Sequence, residues 1–527
     1  MAEHLTEEAL DSLMQGDTQF ALIDVREAGE YNSSHIPGSS SIPRRMLESQ
    51  IALAVPFKGS HIVVCDDDGR RARLAAATLE SVGYERVSVL EAGTNRWASR
   101  GFPTEWGSNV PSKDFGEKVE VVNHVPEIDA ENLHQRMERG DKMVILDTRT
   151  PEEYQRFCIP GGRSVPGGEL AYRITDIKKE VDPDTTVIIN CAGRTRSIIG
   201  ARVLQRMGLS NVYGLRNGTS GWVLAGYELE SGGDRLDLPA PSPEGLAAAE
   251  AYAETLASED GVRYLDPAAL QEVMARRERE SLYLIDVRGE EEYRAGHIPG
   301  FRWFPGGQAV QRSDDVGVVK NAAIVFACDG KVRSTVAASW YRQLGFEEVY
   351  VVAGGTAAWT AAGHEIEQGM TEETTLGLAE ASAKVRLASA SDLSQTPAQV
   401  TIFVDTSQDF ARGHVPGSRW APRGWLEFQI EGFAPDKSAS VAVTANDTAN
   451  AVLATAALQD LGYGNVSALE GGMATWRQAG LPVETGLTGV MSAPNDLVAS
   501  GPDRNYADMM NYLRWETALG EKYETHT

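Results

Sequence analysis

The sequence predicts four α/β domains in tandem, each built on a central, mostly parallel sheet with helices on both faces. Three observations predict this fold class: one set of landmarks occurs four times along 527 residues, the predicted strands are short continuous apolar runs, and helical segments alternate with them. Apolar strands that alternate with helices are typical of a parallel sheet covered on both faces. A chain of this length is also too long for one hydrophobic core.

Each copy of the repeat begins with an apolar strand that ends in Asp and leads into an acidic turn. The four copies are ALIDVREAGEY (21–31), VILDTRTPEEY (144–154), LYLIDVRGEEEY (282–293) and TIFVDTSQDF (401–410). A tetrapeptide follows in each, namely HIPG (35–38), CIPG (158–161), HIPG (297–300) and HVPG (414–417). Each copy closes with a segment containing Gly-x-x-x-Trp, at 90–97, 215–222, 352–359 and 469–476. Such internal similarity indicates repeated domains.

The repeats and the Pro/Gly-rich joints between them set the predicted domain boundaries. The predicted units are domain one at 1–107, domain two at 125–232, domain three at 261–369, domain four at 385–486 and a tail at 487–527. The segment at 107–120 is a joint, and the longer Pro/Gly/Ala segment at 231–261 is expected to be a hinge between two pairs of domains. Apolar periodicity in the tail predicts a helix, either docked on the body or free to bind a partner.

A cysteine loop between an apolar strand and a helix carries the chemistry in copies two and three. It is CAGRTRS (191–197) in copy two and CDGKVRS (328–334) in copy three. The thiolate is the reactive form of cysteine, whose free pKa is ~8.5. Backbone amides and the dipole of the following helix favour that anion. Cys191 and Cys328 are therefore the predicted catalytic residues.

The other positions of these two loops predict a site for an anion. Glycine allows a tight turn, arginine and lysine offer charge-assisted hydrogen bonds, and serine can cap the helix. The predicted substrate-binding residues are Gly193, Arg194, Arg196 and Ser197 in copy two, and Gly330, Lys331, Arg333 and Ser334 in copy three. The carboxylate of Asp329 opposes thiolate formation at Cys328, so we expect copy three to be active but less reactive.

Copies one and four are predicted to be inactive. Alignment on Arg71 puts Asp66 at the nucleophile position of copy one, and Cys65 then ends the strand. Copy four has Ala445 at that position and Asn450 in place of the arginine. These two copies lack the loop cysteine, so we expect them to act as scaffolds.

The order Asp-x-Arg, HIPG, Cys-x-x-x-x-Arg and Gly-x-x-x-Trp resembles the rhodanese domain, four times over. The resemblance implies a compact α/β domain whose loop cysteine accepts sulfane sulfur as a persulfide and passes it to a nucleophile. It also implies, by analogy with paired rhodaneses whose second domain is active, that copies one and two form a pair. The order of copies three and four departs from that pattern.

The expected activity is therefore that of a thiosulfate sulfurtransferase with ping-pong kinetics. Thiosulfate is the expected donor because it is a dianion and each active loop has two cations; 3-mercaptopyruvate is less expected, since its enzymes have a small Gly/Ser-rich loop. Cyanide in vitro, and a thiol or sulfite in the cell, are the expected acceptors, and a protein acceptor is possible. The alternative is a persulfide carrier or protein-binding module that turns over small donors slowly.

The remaining landmarks are expected to be structural. The spacing from Cys65 to Arg71 also occurs in cysteine-dependent phosphatases, but the aspartates at 66–68 would repel phosphate, which favours a strand-end structural cysteine. Cys158, in place of the His of HIPG, is expected to be packed, with resolution of a Cys191 persulfide as the alternative. The Asp-x-Arg pairs and the HIPG histidines occur in inactive copies too, except that copy four lacks the arginine, so we expect them to order the loops.

The amino-acid composition limits which partners and which cellular location are expected. A formal charge of −26 disfavours binding to nucleic acid and to anionic membranes. Four cysteines fit a reducing cytoplasm, and no apolar run reaches the roughly 20 residues that a membrane span needs. No Cys-x-x-Cys pair or glycine-rich phosphate loop is present, so no metal and no cofactor are expected.

Overall fold

The computed structural model describes residues 2–238, 240–372, 374–490 and 493–524. These residues form four sheets, one for each copy of the repeat, and helices flank every sheet. The predicted α/β fold class is confirmed.

The elements of the first two copies follow the predicted order. Copy one comprises β1 (Glu3–Leu5), α1 (Glu7–Gln15), β2 (Phe20–Asp24), α2 (Ala28–Ser33), β3 (Ser40–Ser41), α3 (Leu47–Ala54), β4 (His61–Cys65), α4 (Arg70–Ser81), β5 (Arg86–Leu90) and α5 (Gly93–Ser99). A connecting helix, α6 (Val110–Asn123), leads to copy two. Copy two comprises β6 (Glu127–Ile128), α7 (Ala130–Arg139), β7 (Met143–Asp147), α8 (Pro151–Arg156), β8 (Arg163–Ser164), α9 (Leu170–Lys179), β9 (Thr186–Asn190), α10 (Thr195–Arg206), β10 (Val212–Leu215) and α11 (Gly218–Leu224).

The second half of the chain repeats this plan. A second connecting helix, α12 (Pro243–Asp260), precedes copy three. Copy three comprises β11 (Arg263–Leu265), α13 (Pro267–Ala275), β12 (Leu282–Asp286), α14 (Glu290–Ala295), β13 (Arg302–Trp303), α15 (Gly306–Gln311), α16 (Ser313–Val316), β14 (Val319–Lys320), β15 (Ala323–Ala327), α17 (Val332–Gln343), β16 (Val349–Val352) and α18 (Gly355–Ala361). A third connecting helix is α19 (Leu378–Lys384).

Copy four and the tail complete the chain. Copy four comprises β17 (Leu387–Ala388), α20 (Ala390–Gln395), β18 (Val400–Phe403), α21 (Ser407–Arg412), β19 (Arg419–Trp420), α22 (Leu426–Phe433), β20 (Val441–Thr444), α23 (Thr448–Asp460), β21 (Val466–Leu469) and α24 (Gly472–Gln478). The tail contains α25 (Tyr506–Ala518) and α26 (Glu521–Glu524). Short 3₁₀ helices occur at Arg44–Met46, Gly167–Glu169, Arg276–Glu278 and Gly501–Asp503.

Every sheet places the strand that precedes the variable loop at its centre. The order is β6-β10-β9-β7-β8 in copy two, with equivalent orders in the other copies, and the pairings are parallel except for β14, which adds to β2 antiparallel. All five residues of β9 are buried, as a continuous apolar strand covered on both faces requires. Ligands bind such sheets at the carboxyl ends of their strands. The loops after β4, β9, β15 and β20 therefore occupy the expected position.

The Asp-x-Arg pair orders the turn that follows the strand next to the central one, which is β7 in copy two. Arg149 donates from Nε to Asp147 at 2.9 Å and from Nη2 at 2.7 Å, and Nη2 also donates to the Phe157 carbonyl at 2.5 Å. Copies one and three repeat this arrangement. Because the guanidinium joins the turn to the end of the next helix, the predicted structural role of this pair is confirmed.

The chain divides into two compact units, and the predicted pairing of copies is wrong. One unit contains the described residues of 1–108, 318–320 and 373–498, which include copies one and four. The other contains those of 109–317, 321–372 and 499–527, which include copies two and three and the end of the tail. Copies one and four, which are predicted to be inactive, thus share one unit, and the two copies with a loop cysteine share the other.

The segment expected to be a hinge between pairs is a helix that ties copies two and three together. Ser242 caps α12 by accepting a hydrogen bond from Gly245 N at 3.1 Å, and an alanine-rich sequence follows, which favours a helix. Ala249 and Ala253 on α12 pack with Val332 of copy three and Tyr172 of copy two. The joint predicted at 107–120 is likewise mostly helical, as α6.

Charged pairs join copies one and four in their unit. Arg44 Nη2 lies 2.6 Å from Glu427, and Arg423 Nη1 donates to Glu48 at 2.8 Å. The guanidinium of Arg71 lies 3.9 Å from the ring centroid of Trp425. The contact between these copies thus includes two ion pairs and a cation–π contact.

The predicted tail helix is present and docked in the unit of copies two and three. Met509 and Leu513 of α25 are buried, at 2% and 4% exposure, and the helix packs on α6. Of the two alternatives, docking on the body is confirmed. Across the described residues, no helix combines the length and the apolar content that crossing a bilayer requires.

Candidate functional site

The Cys191 loop lies at the carboxyl end of the central strand of copy two. Cys191 directly follows β9, and α10 begins at Thr195. The side chain is buried, with 2% exposure, and its Sγ lies 3.5 Å from Ser197 Oγ. The loop therefore holds its thiol at the N-terminal end of a twelve-residue helix, where the helix dipole favours an anion.

The glycine of the Gly-x-x-x-Trp segment packs directly against the backbone of this loop, and the two amides after it bond to the loop carbonyls. We call this contact the clamp. Thr219 N donates to the Cys191 carbonyl at 2.9 Å and Ser220 N to the Ala192 carbonyl at 3.1 Å. Gly218 has φ +52, and a Cβ added to it would lie 2.2 Å from the Cys191 carbonyl oxygen. The same clamp occurs in every copy, through Gly93, Gly355 and Gly472. The motif glycine is thus a site residue, which the sequence marked only as a landmark.

Copy one shows how the amides of such a loop hold an anion. The carboxylate of Asp66, at the nucleophile position, accepts hydrogen bonds from the backbone amides of Gly69, Arg71 (2.6 Å) and Ala72 (3.2 Å). The side chain is 1% exposed, so these amides replace its water. The Asp66 carboxylate therefore fills the nucleophile position of this loop and uses the amides that line it.

The other loops have backbone amides at the equivalent sequence positions. The positions that match Gly69, Arg71 and Ala72 are Arg194, Arg196 and Ser197 in copy two. In copy three, a hydrogen bond from the backbone of Ser334 acts to lower the pKa of Cys328. Copy four has Ala445 here, and Asp405 turns inward to accept from Asn446 N at 2.6 Å and from Asn450 Nδ2 at 2.5 Å.

The structure brings Arg196, but not the guanidinium of Arg194, towards the thiol. Arg196 donates through Nη1 and Nη2 to Glu153 at 2.8 Å each. Although burial opposes its charge, Glu153 and the charge of a Cys191 thiolate raise the pKa of Arg196. Despite burial, the same hydrogen bonds lower the pKa of Glu153 to about 2. A permanent cation therefore lies beside the sulfur.

Arg194 is held by carboxylates of the preceding elements. Its Nε and Nη2 donate to Glu117 on α6 at 2.6 and 2.9 Å, and Nη1 lies 3.2 Å from Glu127 on β6. Burial raises the pKa of Glu117 to about 7, against the effect of Arg194. An anion bound by this guanidinium would have to compete with two buried carboxylates.

The predicted capping by the two loop serines is wrong. The helices begin earlier, at Thr195 and Val332, so that Arg194 and Lys331 are the capping residues. Ser197 Oγ instead donates to the Arg194 carbonyl at 2.8 Å, and Ser334 Oγ to that of Lys331 at 3.2 Å. Both hydroxyls thereby stand beside the sulfur of their loop.

The loop glycines do not use the positive φ angles that glycine readily adopts, although the chain bends at 192–194. The positive φ angles are at the clamp glycines Gly218 and Gly355, not at Gly193 or Gly330. A Cβ added to Gly330 would meet open space, whereas one added to Gly193 would lie 3.3 Å from Glu516 Oε2. Gly193 thus leaves room for the tail helix.

The Cys328 loop has the same shape but a more acidic setting. Cys328 Sγ lies 3.1 Å from Ser334 Oγ. Burial, followed by the charge of Asp329, raises the pKa of Cys328 to about 11. The predicted opposition of Asp329 to thiolate formation is confirmed. Tyr172 of copy two donates to Asp329 at 2.9 Å, so the two copies share this site.

The cations of copy three are also paired. Arg333 donates to Glu292 at 2.6 and 2.7 Å and, across the contact between copies, to Glu169 at 2.7 Å. Lys331 Nζ lies 2.6 Å from Glu254 on α12. Arg333 is 1% exposed, whereas Lys331 lies near the surface.

The other two cysteines lie in structural positions. Cys65 ends β4, is fully buried in a cluster with Leu22 and Trp97, and burial raises its pKa well above the usual value. Cys158 is 1% exposed, its backbone bridges to Glu230, and burial raises its pKa too. A Cβ added to Gly233 would lie 3.1 Å from Cys158 Sγ, which shows how closely the thiol is packed.

Comparison with known proteins agrees with this geometry. A family model described as a rhodanese-like domain matches residues 5–100, 129–225, 269–362 and 387–479. The chain belongs to the rhodanese-like domain family. The predicted resemblance to rhodaneses is therefore confirmed for all four copies.

Individual rhodanese relatives cover one domain, two domains or the whole chain. The solved structure of a thiosulfate sulfurtransferase from Pseudomonas aeruginosa is 35% identical, with a TM-score of 0.89, and the match covers 99% of this chain and 98% of that one. A sulfurtransferase of Allochromatium vinosum is 31% identical over 121 residues, 23% of this chain and 99% of that protein. A thiosulfate sulfurtransferase of Azotobacter vinelandii is 23% identical over 241 residues, 39% of this chain and 88% of that protein.

Proposed function

We propose that this rhodanese transfers sulfane sulfur from thiosulfate, through a persulfide on Cys191, to a thiophilic acceptor. The observation that carries the proposal is the position of the Cys191 loop between β9 and the N-terminal end of α10. The equivalent amides of copy one hold the Asp66 carboxylate, which supports the same role for them toward an anionic sulfur in copy two. Cys328 is proposed as a second, slower site, because burial and the charge of Asp329 raise the pKa of its thiol to about 11.

The proposed reaction has two steps. In the first, the Cys191 thiolate attacks the sulfane sulfur, an Sγ–S bond forms, and the bond to the sulfonate breaks so that sulfite leaves with the electron pair. In the second, the acceptor attacks the same sulfur and the Sγ–S bond breaks, which regenerates the thiolate. Cyanide gives thiocyanate, and a thiol or sulfite is the proposed acceptor in the cell.

Individual residues are proposed to stabilise the anions of both steps. Arg196 supplies the fixed positive charge, and the loop amides with Ser197 bind the persulfide. Arg194 and Gly193 are the proposed contacts to the sulfonate. The matching residues of copy three are Lys331, Arg333, Gly330 and Ser334. We further propose a cytoplasmic location, since all four cysteines are free thiols.

The test is thiosulfate-dependent thiocyanate formation by the wild type, Cys191→Ser, Cys328→Ser and the double variant, with the intact mass of each protein. We expect Cys191→Ser to lose most turnover and the added sulfur, and the double variant to lose the rest. An unchanged rate in the double variant would refute the assignment. Phosphate release that depends on Cys65 would indicate phosphatase chemistry instead.

A second candidate function is a persulfide carrier that exchanges sulfur with a protein partner. The observation that favours it is the pairing of the loop cations with carboxylates, which leaves less positive charge for a small dianion. A carrier would form one persulfide per active loop but release sulfite without saturable turnover. Single-turnover and steady-state sulfite release by the full chain therefore separate the two functions.

A further inference from the structure

The tail helix α25 covers the mouth of the Cys191 loop. The side chains that reach the loop are Tyr512 and Glu516, one helical turn apart. A Cβ added to Gly193 would lie 3.8 Å from Tyr512 Cε1 and 3.3 Å from Glu516 Oε2. Burial raises the pKa of Tyr512, as do the charge of Glu516, a hydrogen bond to that carboxylate and the charge of Cys191. A reactant that approaches Cys191 past Gly193 must therefore meet α25.

Glu516 holds a buried carboxylate against the start of α10. Its Oε1 accepts a hydrogen bond from Thr195 Oγ1 at 3.1 Å, and the residue is 1% exposed. Its Oε2, the atom nearest to Gly193, has no hydrogen-bond donor of normal geometry in the described part of the chain. A buried carboxylate oxygen without a donor is costly, and a ligand that donates a hydrogen bond would satisfy it.

Three cations, Lys113, Arg194 and Arg504, interact electrostatically with the Glu516 carboxylate. Lys113 Nζ lies 5.2 Å from the ring centroid of Tyr512, and the Arg504 guanidinium lies 3.9 Å from it. Burial lowers the pKa of Lys113 to about 8, although Glu516 favours its charge. The nearest loop cation, Arg194, is bonded to Glu117. The Glu516 carboxylate thus lies at the loop with its charge offset only in part, by the Tyr512 hydroxyl and by these cations.

We propose that Glu516 is a specificity-determining residue of the Cys191 site. Its carboxylate disfavours anionic reactants, such as thiosulfate and sulfite, and favours neutral reactants that donate a hydrogen bond, such as a thiol. The biological meaning of this inference rests on the proposed sulfur transfer, but its first test does not. The physical basis is repulsion between like charges at a site shielded from water, where charges interact strongly.

The first test compares two alkylating reagents of nearly the same size on the full chain. Iodoacetamide is neutral and iodoacetate is an anion, and peptide masses report the rates at Cys191 and Cys328 separately. Both reagents need the thiolate, so the ratio of their rates cancels any change in thiolate population. We expect Glu516→Gln to raise the iodoacetate-to-iodoacetamide ratio at Cys191 by about threefold, because the neighbouring cations offset part of the charge that is removed.

Controls separate charge from folding. Glu521→Gln removes an exposed carboxylate of α26 and should leave the ratio unchanged. Glu516→Asp keeps the charge and should keep the wild-type ratio, and Cys328 in the same molecule should keep its own ratio in every variant. If Glu516→Gln changed both reagents in parallel, or if Glu516→Asp raised the ratio as much as Glu516→Gln, the proposal would be overturned.

The second test concerns sulfur transfer itself. In a Cys328→Ser background, Glu516→Gln should lower the KM for thiosulfate and speed discharge of the persulfide by sulfite relative to 2-mercaptoethanol. A KM and a discharge ratio equal to those of the Cys328→Ser parent would contradict the proposal. Absence of sulfite release in every variant would refute the proposed function while the alkylation ratio still decided the role of Glu516.

Discussion

Substitution of the clamp glycine Gly218 by alanine should disable the Cys191 loop without touching the sulfur. The new Cβ would lie 2.2 Å from the Cys191 carbonyl oxygen and 2.9 Å from that of Gly193. Side-chain Cβ atoms do not approach backbone atoms closer than 3.0 Å, so the loop or α11 must move by roughly 0.8 Å. The residue must also keep a left-handed φ of +52, which costs an L-residue about 1–2 kcal/mol.

A shift of this size decides the magnitude of the effect. Misplacement of a reacting group by about 1 Å can cost about 100-fold in rate. We therefore expect Gly218→Ala to slow persulfide formation at Cys191 by about 100-fold, measured as the initial rate of sulfur addition in peptide mass spectra. Cys328 in the same protein serves as the internal reference and should react at its wild-type rate.

Gly226 provides a matched control. It has φ +88, close to the end of the same helix, but an added Cβ would meet open space. Gly226→Ala therefore carries the conformational cost without the clash, and it should lower stability slightly and leave the Cys191 rate unchanged. A wild-type rate in Gly218→Ala, or an equal loss in both variants, would refute the argument from the clamp.

Three further predictions concern the other loops. Because the pKa of Cys328 is raised to about 11, its alkylation by iodoacetamide should still rise steeply with pH between 8 and 10, and Asp329→Asn should speed it at pH 8 by up to about tenfold; an unchanged rate would contradict this. Asp66→Ala should destabilise its unit by about 2 kcal/mol in thermal unfolding, since three amides lose their acceptor, and Asp66→Asn by less; equal stability would show that the amides find other partners. Cys158→Ser should leave the lifetime of a Cys191 persulfide unchanged, because the Cys158 thiol is closely packed; a longer lifetime would identify it as a resolving thiol.

Local sequence patterns predicted the fold and the positions of the loops. Alternating apolar strands and helices depend on neighbours in sequence, and so does the Asp147–Arg149 turn, which joins residues two apart. The loop cysteines follow a central strand for the same reason. These features needed no knowledge of how the copies pack.

The pairing of copies and the partners of the loop arginines depend on distant residues. Ser242 and the alanine-rich stretch after it are compatible with a linker and with the start of α12. The packing of this stretch on copies two and three decides between them. Arg194 and Arg196 are equivalent cations in the sequence, but Glu117 holds the first and Glu153 the second. Glu516 reaches Thr195 across 321 positions, which no local pattern could reveal.

Copies two and three lie between copies one and four in the sequence, and this arrangement sets an order for folding during synthesis. Arg423, the partner of Glu48, is made 375 residues later, which at ribosomal rates of about 5–20 residues per second is a delay of roughly 20 to 75 s. Copies two and three emerge in that interval and can pair at once. The surface of copy one that contacts copy four stays exposed to solvent until copy four has been synthesised. That surface carries the charged side chains of Arg44, Glu48 and Arg71, which favour its hydration and so oppose aggregation of the incomplete chain.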